Sequence, residues 1–146
     1  MLVLGPDVLT IHHLSMTDDE RFDDNEGLLK RLRGISKGIT IFGLLDLIGI
    51  IAARIGSKQA RELYISYLKS KEHIVLFPEY QDSWESHIDT MMEYLTRGLS
   101  YKNALIAMVL DSTPEAEAYI TWMKKPLENR ISVKVLTPSE CLRTMK

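Results

Sequence analysis

The chain reads as an α/β protein, a three-layer α/β/α sandwich with a mostly parallel central sheet. Three observations lead there. The runs MLVL (1–4), GITIF (38–42), HIVLFP (73–78), AEAYITW (116–122) and SVKVL (132–136) have strand length and are apolar or β-branched. Several of them are apolar almost throughout rather than alternating, as strands covered on both faces are. Stretches with helical spacing separate them, and such alternation builds a parallel sheet between helical layers. At 146 residues, 45% hydrophobic and 26% charged, the chain is expected to form one domain over 1–146 with a core of its own.

Taken in order, MLVL is the first strand, and Gly5 and Pro6 end it. The acidic stretch SMTDDERFDDNE (15–26) reads as a loop or lid anchored by Phe22. NEGLLKRLR follows as a short helical stripe of Leu28, Leu29 and Leu32. The strand GITIF runs into a helix from about Leu44 to Arg54. Gly56 stops that helix, and Ser57 is expected to cap the next one, which ends near Lys69. After HIVLFP, Asp82 or Ser83 caps a helix that Gly98 stops, with Trp84, Ile88, Met91 or Met92, and Leu95 as its buried stripe. Ser100 caps a helix from Tyr101 to about Leu110. Two more strands follow, and Pro138 stands where a final helical turn needs no N–H.

The most apolar stretch, ITIFGLLDLIGIIAA, is 15 residues long with Asp46 at its centre, short for a membrane span and better suited to a buried helix. The start lacks a basic leader, so a cytoplasmic protein without a membrane segment is expected. The single cysteine, Cys141, excludes an internal disulfide. A net charge of −2 gives no broad attraction to nucleic acid. Basic residues do thicken at Lys30, Arg31, Arg33 and Lys37, and again at Lys124 and Lys125. With Lys102 they are the candidate RNA contacts. Trp122 is either a stacking surface or, more in keeping with its strand, part of the core.

Most tests for chemistry fail. His12, His13, His73 and His87 form no HExxH, no CxxC is present, and His73 reads as a strand boundary. Cys141 has no neighbouring histidine, and no GxSxG or phosphate-cradling glycine loop occurs. A carboxylate cluster remains. Cutting a phosphodiester with magnesium or manganese needs several acids converging on oxygen-loving ions. Sites in parallel sheets lie beyond the C-terminal ends of the strands. That places Asp7, after the first strand, and Asp46, early in the helix after the second, as a possible pair, with the acids of 18–24 as further candidates. The alternative is that Asp46 simply stabilises a helix N-terminus. Asp111 is expected to face water.

Four stretches together resemble the PIN-domain family, in particular its archaeal single-domain, VapC-like members. They are LVLGPDVL, ITIFGLLDLIGI, LSYKNALIAMVL and AYITWMKKPLENRISVKVLTPSECL, and the likeness spans residues 1 to 142. The resemblance implies a PIN-like sandwich and a Mg- or Mn-dependent single-stranded endoribonuclease of the toxin or RNA-processing kind. It also implies a homodimer, an RNA ligand and an antitoxin-like protein partner. Carried over residue by residue, the family's first aspartate falls on Gly5, its second acid on Asp46, its third on Asn103 and its fourth on Met123. Asp7 lies two residues past the first position and can replace that acid only if the turn is rebuilt. Asn103 offers an amide oxygen without charge, and the thioether of Met123 suits magnesium poorly. The expectation is therefore a degenerate acidic site without ordinary two-metal nuclease activity or a resident metal, which binds RNA or a partner. The alternative is a ribonuclease that works through Asp7, Asp46 and Asn103.

Overall fold

The computed structural model describes residues 1–145. Among them, five strands form one all-parallel sheet in the order β3-β2-β1-β4-β5. The strands are β1 (Leu2–Leu4), β2 (Lys37–Thr40), β3 (His73–Leu76), β4 (Ala118–Ile120) and β5 (Lys134–Leu136). The helices are α1 (Pro6–His13), α2 (Phe22–Arg31), α3 (Ile41–Arg54), α4 (Ser57–Lys69), α5 (Trp84–Leu95), α6 (Tyr101–Asp111) and α7 (Pro138–Thr144). Successive strand residues point to opposite faces. Val3, Tyr119 and Val135 join the core under α5 and α6, whereas Leu4, Ile39, Ala118 and Ile120 join the core under α1–α4 and α7. This is the three-layer sandwich that the sequence predicts. No helix among the described residues is long and apolar enough to cross a membrane.

Several caps are where local chemistry puts them. Ser83 accepts from the Ser86 N–H and Ser100 from the Asn103 N–H. Thr137 and Glu140 form a reciprocal capping box with Pro138 at the first helical position. Other expectations are corrected. The residues after Gly5 form α1 rather than a simple turn, with Pro6 in its first turn and Asp7 at its positive end. The stretch 15–26 is not all loop, because α2 begins at Phe22. α3 begins at Ile41, not near Leu44, because Thr40 ends β2 and accepts from the Gly43 N–H. Gly56, at φ +149°, stands at the N-cap of α4, and Ser57 is its first residue. On α5 the buried side chains are Met91 and Tyr94, while Trp84 is 76% and Ile88 54% exposed. Met91 of the expected stripe is buried and Leu95 packs against the core, so only its N-terminal part, Trp84 and Ile88, faces outward.

The strand order reverses between β1 and β4. Such a switch point opens a crevice at the C-terminal ends of the strands. β1 delivers Asp7 to that crevice, β4 delivers Thr121 to Met123, and the helix after β2 brings Asp46 alongside.

Candidate functional site

A cavity of about 340 Å³ lies at this crevice, and Asp7, Asp46, Asn103, Lys102, Met123 and Tyr119 are in its wall. The tertiary fold thus brings together the three residues singled out as the site core and the Met123 position. Each arrives from a different element: α1, α3, α6 and the turn after β4.

Asp7 is tightly held. Its Oδ2 accepts from Thr121 Oγ1 at 2.9 Å and from the Trp122 N–H at 2.7 Å. Its other oxygen occupies space that residue 5 leaves empty. A Cβ built on Gly5 would lie 2.7 Å from Asp7 Oδ1 and 3.0 Å from both the Ile120 carbonyl and the Tyr119 hydroxyl. Gly5 has ordinary extended dihedrals, φ −73° and ψ 156°, so glycine is needed here for room and not for backbone freedom. A carboxylate at position 7 takes the place where a side chain on position 5 would sit.

Asp46 is paired as well. Lys102, in the first turn of α6, reaches across and places its Nζ 2.8 Å from Asp46 Oδ2. The lysine side chain is 59% exposed and the aspartate 33%, so the contact contributes under about 1 kcal/mol to stability. Its electrostatic effect on the pocket is larger, since it sets an ammonium directly on one of two carboxylates. Asn103 gives its backbone N–H to the Ser100 cap and presents its neutral amide to the cavity. Met123 is exposed, and its N–H donates to Thr121 Oγ1 at 3.0 Å.

Sequence reasoning missed two titratable residues of this wall. Tyr119 is buried beneath the acids. Burial pushes its phenol well above the usual range, and the charges of Asp7 and Asp46 push it further. It therefore stays a neutral hydroxyl in the wall shared with Asp7 and Asp46. Its strand and alternation were legible, but the acids above it were not. Arg21 is the second. Its Nε and Nη2 hold both oxygens of Asp19, at 2.9 and 2.7 Å, and that bidentate pair brings the Asp19 carboxyl down to about 2.

The other candidates separate. The stretch 18–24 gives the cavity only Arg21, because Asp19 is spent on that arginine and Asp24 accepts from Ser139 at 2.6 Å. Lys37 is not an RNA contact. It is 4% exposed, and its Nζ donates to the carbonyls of Leu32 and Ile35, each at 2.8 Å, and to Glu72 at 3.1 Å. A buried ammonium needs such partners, and those three groups use its donors up. Lys124 is drawn onto Glu140 and Glu128, whereas Lys125 stays exposed. Arg33, with Lys30, sits at the end of the sheet where strands begin, away from the acids. The proposed basic set therefore does not make one surface. Arg31 donates to the Met145 carbonyl at 3.1 Å. Trp122 packs on the core and donates from its indole to Asn25 at 2.8 Å, as the core reading expects. Asp111 is exposed, but its oxygens accept from Tyr94 at 2.5 Å and from Ser132, so water is not its main partner.

The donor set fits a divalent-ion pair poorly. It consists of one carboxylate under an ammonium, one already accepting two hydrogen bonds on one oxygen, and a neutral amide. No protein-family model matches the chain, and no curated protein matches it.

Proposed function

We propose that this is a PIN-like protein that has lost two-metal phosphodiester cleavage and uses its crevice to bind single-stranded RNA without cutting it. The observation that carries the reading is the Lys102–Asp46 contact at 2.8 Å. An ammonium stands where a cation would have to approach the acid that best matches the family pattern. A cation brought next to it meets repulsion from Lys102 instead of the negative field that offsets its dehydration. The uncharged Asn103 and the thioether of Met123 add nothing to replace that field. Lys102 and the exposed Lys125 remain to meet phosphates near the same strand ends.

The test is a manganese titration by calorimetry, together with incubation of labelled single-stranded RNA with the purified protein. The expected result is salt-sensitive RNA binding, no saturable manganese site at micromolar concentration and intact RNA. Cleavage that depends on manganese and vanishes in Asp46→Ala overturns the proposal. The second reading, a metal-dependent endoribonuclease, draws support from one feature. Asp7 fills the space beside Gly5, so two carboxylates still share one cavity with Asn103. RNA binding absent at low salt in the presence of intact fold would instead favour a protein partner.

A further inference from the structure

A second cavity, of about 450 Å³, opens at the end of the sheet where β2 and β3 begin. It is independent of the acidic crevice and of the reading placed on it. α1, α2 and α4 form its walls, Leu9, Leu29 and Leu63 give it an apolar side, and three of the four histidines of the chain line it. In the sequence His12 and His13 have no common purpose, because adjacent residues point apart in any regular structure. The fold supplies the missing third member, His73, from β3.

Each imidazole is oriented by a partner on one nitrogen. His12 Nδ1 meets Glu26 Oε1 at 2.7 Å, so that nitrogen carries the proton against a carboxylate. His13 Nε2 meets the Tyr67 hydroxyl at 2.8 Å. His73 Nδ1 lies 3.0 Å from Ser70 Oγ, which already accepts the N–H groups of Glu72 and His73. The Ser70 proton therefore goes to His73 Nδ1, leaving Nε2–H of His73 as a donor. The rings run in a chain, with centroids 4.9 Å apart for His12 and His13, 5.8 Å for His13 and Tyr67, and 4.9 Å for Tyr67 and His73. Tyr67 thus stands between two imidazoles, which suits this cluster to donating to an anion more than to closing on a metal.

The charge balance points the same way. The wall holds two carboxylates, and both are engaged: Glu26 by His12 and Glu72 by Lys37. Lys30 and Arg33 are exposed at the rim. With neutral imidazoles, three cations face two acids, and every proton added to a histidine raises the positive charge.

We propose that this cavity binds a phosphate monoester, and that binding takes up protons on its histidines. Lys30 and Arg33 meet the phosphate oxygens as charged donors, the imidazoles add positive charge as they protonate, and the apolar side accommodates the ester's organic body. The histidines are poised for this coupling. Burial and then the positive charges of His12 and His73 hold His13 down to about 4, while Glu26 opposes them. Burial, then Lys37 and His12, lower His73, against Glu72. A bound dianion reverses the like-charge part of each effect, so affinity and proton uptake are linked.

Two sources share this chemistry, a small monoester and the 5′-phosphate of an RNA strand. The probes are inorganic phosphate, adenosine 5′-monophosphate, and the same short single-stranded RNA with 5′-phosphate or 5′-hydroxyl. They are titrated at pH 6.0 and 8.0 in phosphate-free buffer and read on the histidine ring resonances. A phosphate's second ionisation near pH 6 makes it more negative at pH 8, so a site of fixed charge binds it tighter there. The proposal requires the reverse: monoester binding at least tenfold weaker at pH 8. Lys30→Gln with Arg33→Gln, both exposed, should weaken binding at least tenfold at both pH values, and His73→Gln should remove most of the pH dependence. Equal affinity for adenosine monophosphate and 5′-phosphorylated RNA assigns a small ligand. A preference for the phosphorylated strand over both the nucleotide and the hydroxyl strand assigns an RNA end. Unmoved histidine resonances at 5 mM of every probe at pH 6.0, monoester binding that is equal or tighter at pH 8, or binding that ignores the loss of Lys30 and Arg33 overturns it.

Discussion

Gly5→Ala tests directly whether Asp7 has taken over the space of residue 5. The new methyl carbon would start 2.7 Å from Asp7 Oδ1, with the Ile120 carbonyl and the Tyr119 hydroxyl both at 3.0 Å. The Ile120 carbonyl is backbone, anchored by the Gly5 N–H at 2.8 Å, and the Tyr119 phenol is buried, so the carboxylate is the group free to move. Moving it breaks the bonds from Thr121 Oγ1 and the Trp122 N–H. Hydrogen bonds to a charged acceptor contribute about 1.5 kcal/mol each at the low end, so the substitution should cost roughly 3 kcal/mol. For a chain of this size that is a fall in Tm of about 6–12 °C. Urea unfolding of four proteins measures it: the natural sequence, Gly5→Ala, Asp7→Ala and the double variant. With Asp7 already truncated, the methyl group meets only the carbonyl and phenol, and its cost should fall by at least half. A coupling above about 1 kcal/mol is expected for groups in contact. If Gly5→Ala costs under about 1 kcal/mol, or the two costs add, Asp7 does not occupy that space as argued.

Three further outcomes are expected. Lys102→Ala should strengthen manganese binding. A unit charge about 4 Å from a divalent ion opposes it by about 2 kcal/mol even at the dielectric of water, which salt screening brings to roughly tenfold in affinity, and calorimetry of the two proteins compares them. His13 should make stability depend on pH: its folded value near 4 lies below the ordinary 6.5, so the fold favours the neutral ring, and stability is full above pH 6.5 and falls as pH drops towards 4. The upper bound is about 3 kcal/mol, reduced by partial exposure to roughly 1–2, and urea unfolding in phosphate-free buffer at pH 7.5 and 4.5 should show a smaller difference in His13→Gln. Lys37→Met should cost about 2–3 kcal/mol in urea unfolding, because the Leu32 and Ile35 carbonyls lose their donor, and it should raise the Glu72 carboxyl, which Lys37 now holds low, in an NMR titration.

What was legible in the residues was whatever neighbours in the chain decide. Ser83 and Ser100 cap their helices because the N–H groups they satisfy lie three residues on. Pro138 starts α7 for a reason internal to one turn. The five strand runs follow from apolar stretches too short for helices, and the parallel sheet follows from the helices that alternate with them. α1 was missed although its signals, Pro6 and Asp7 at the first turn, were present, because Gly5-Pro6 also marks a turn. The failure at Trp84 and Ile88 has another cause. Periodicity states that a face is apolar, but only the packing of α5 on α6 selects Met91 and Tyr94 for burial.

The sequence by itself determined the α/β layering, several helix caps and the arrival of Asp7 and Asp46 near one end of a parallel sheet. Only the tertiary structure decided what those groups can do. Whether a carboxylate is free depends on partners remote along the chain: Lys102 on Asp46, Thr121 and Trp122 on Asp7, Glu72 on Lys37. Charge interactions act over a few ångströms of space, and spacing along a sequence does not encode those distances until the layers pack. The same holds for His12, His13 and His73, which belong to one cavity because α1 and β3 meet there.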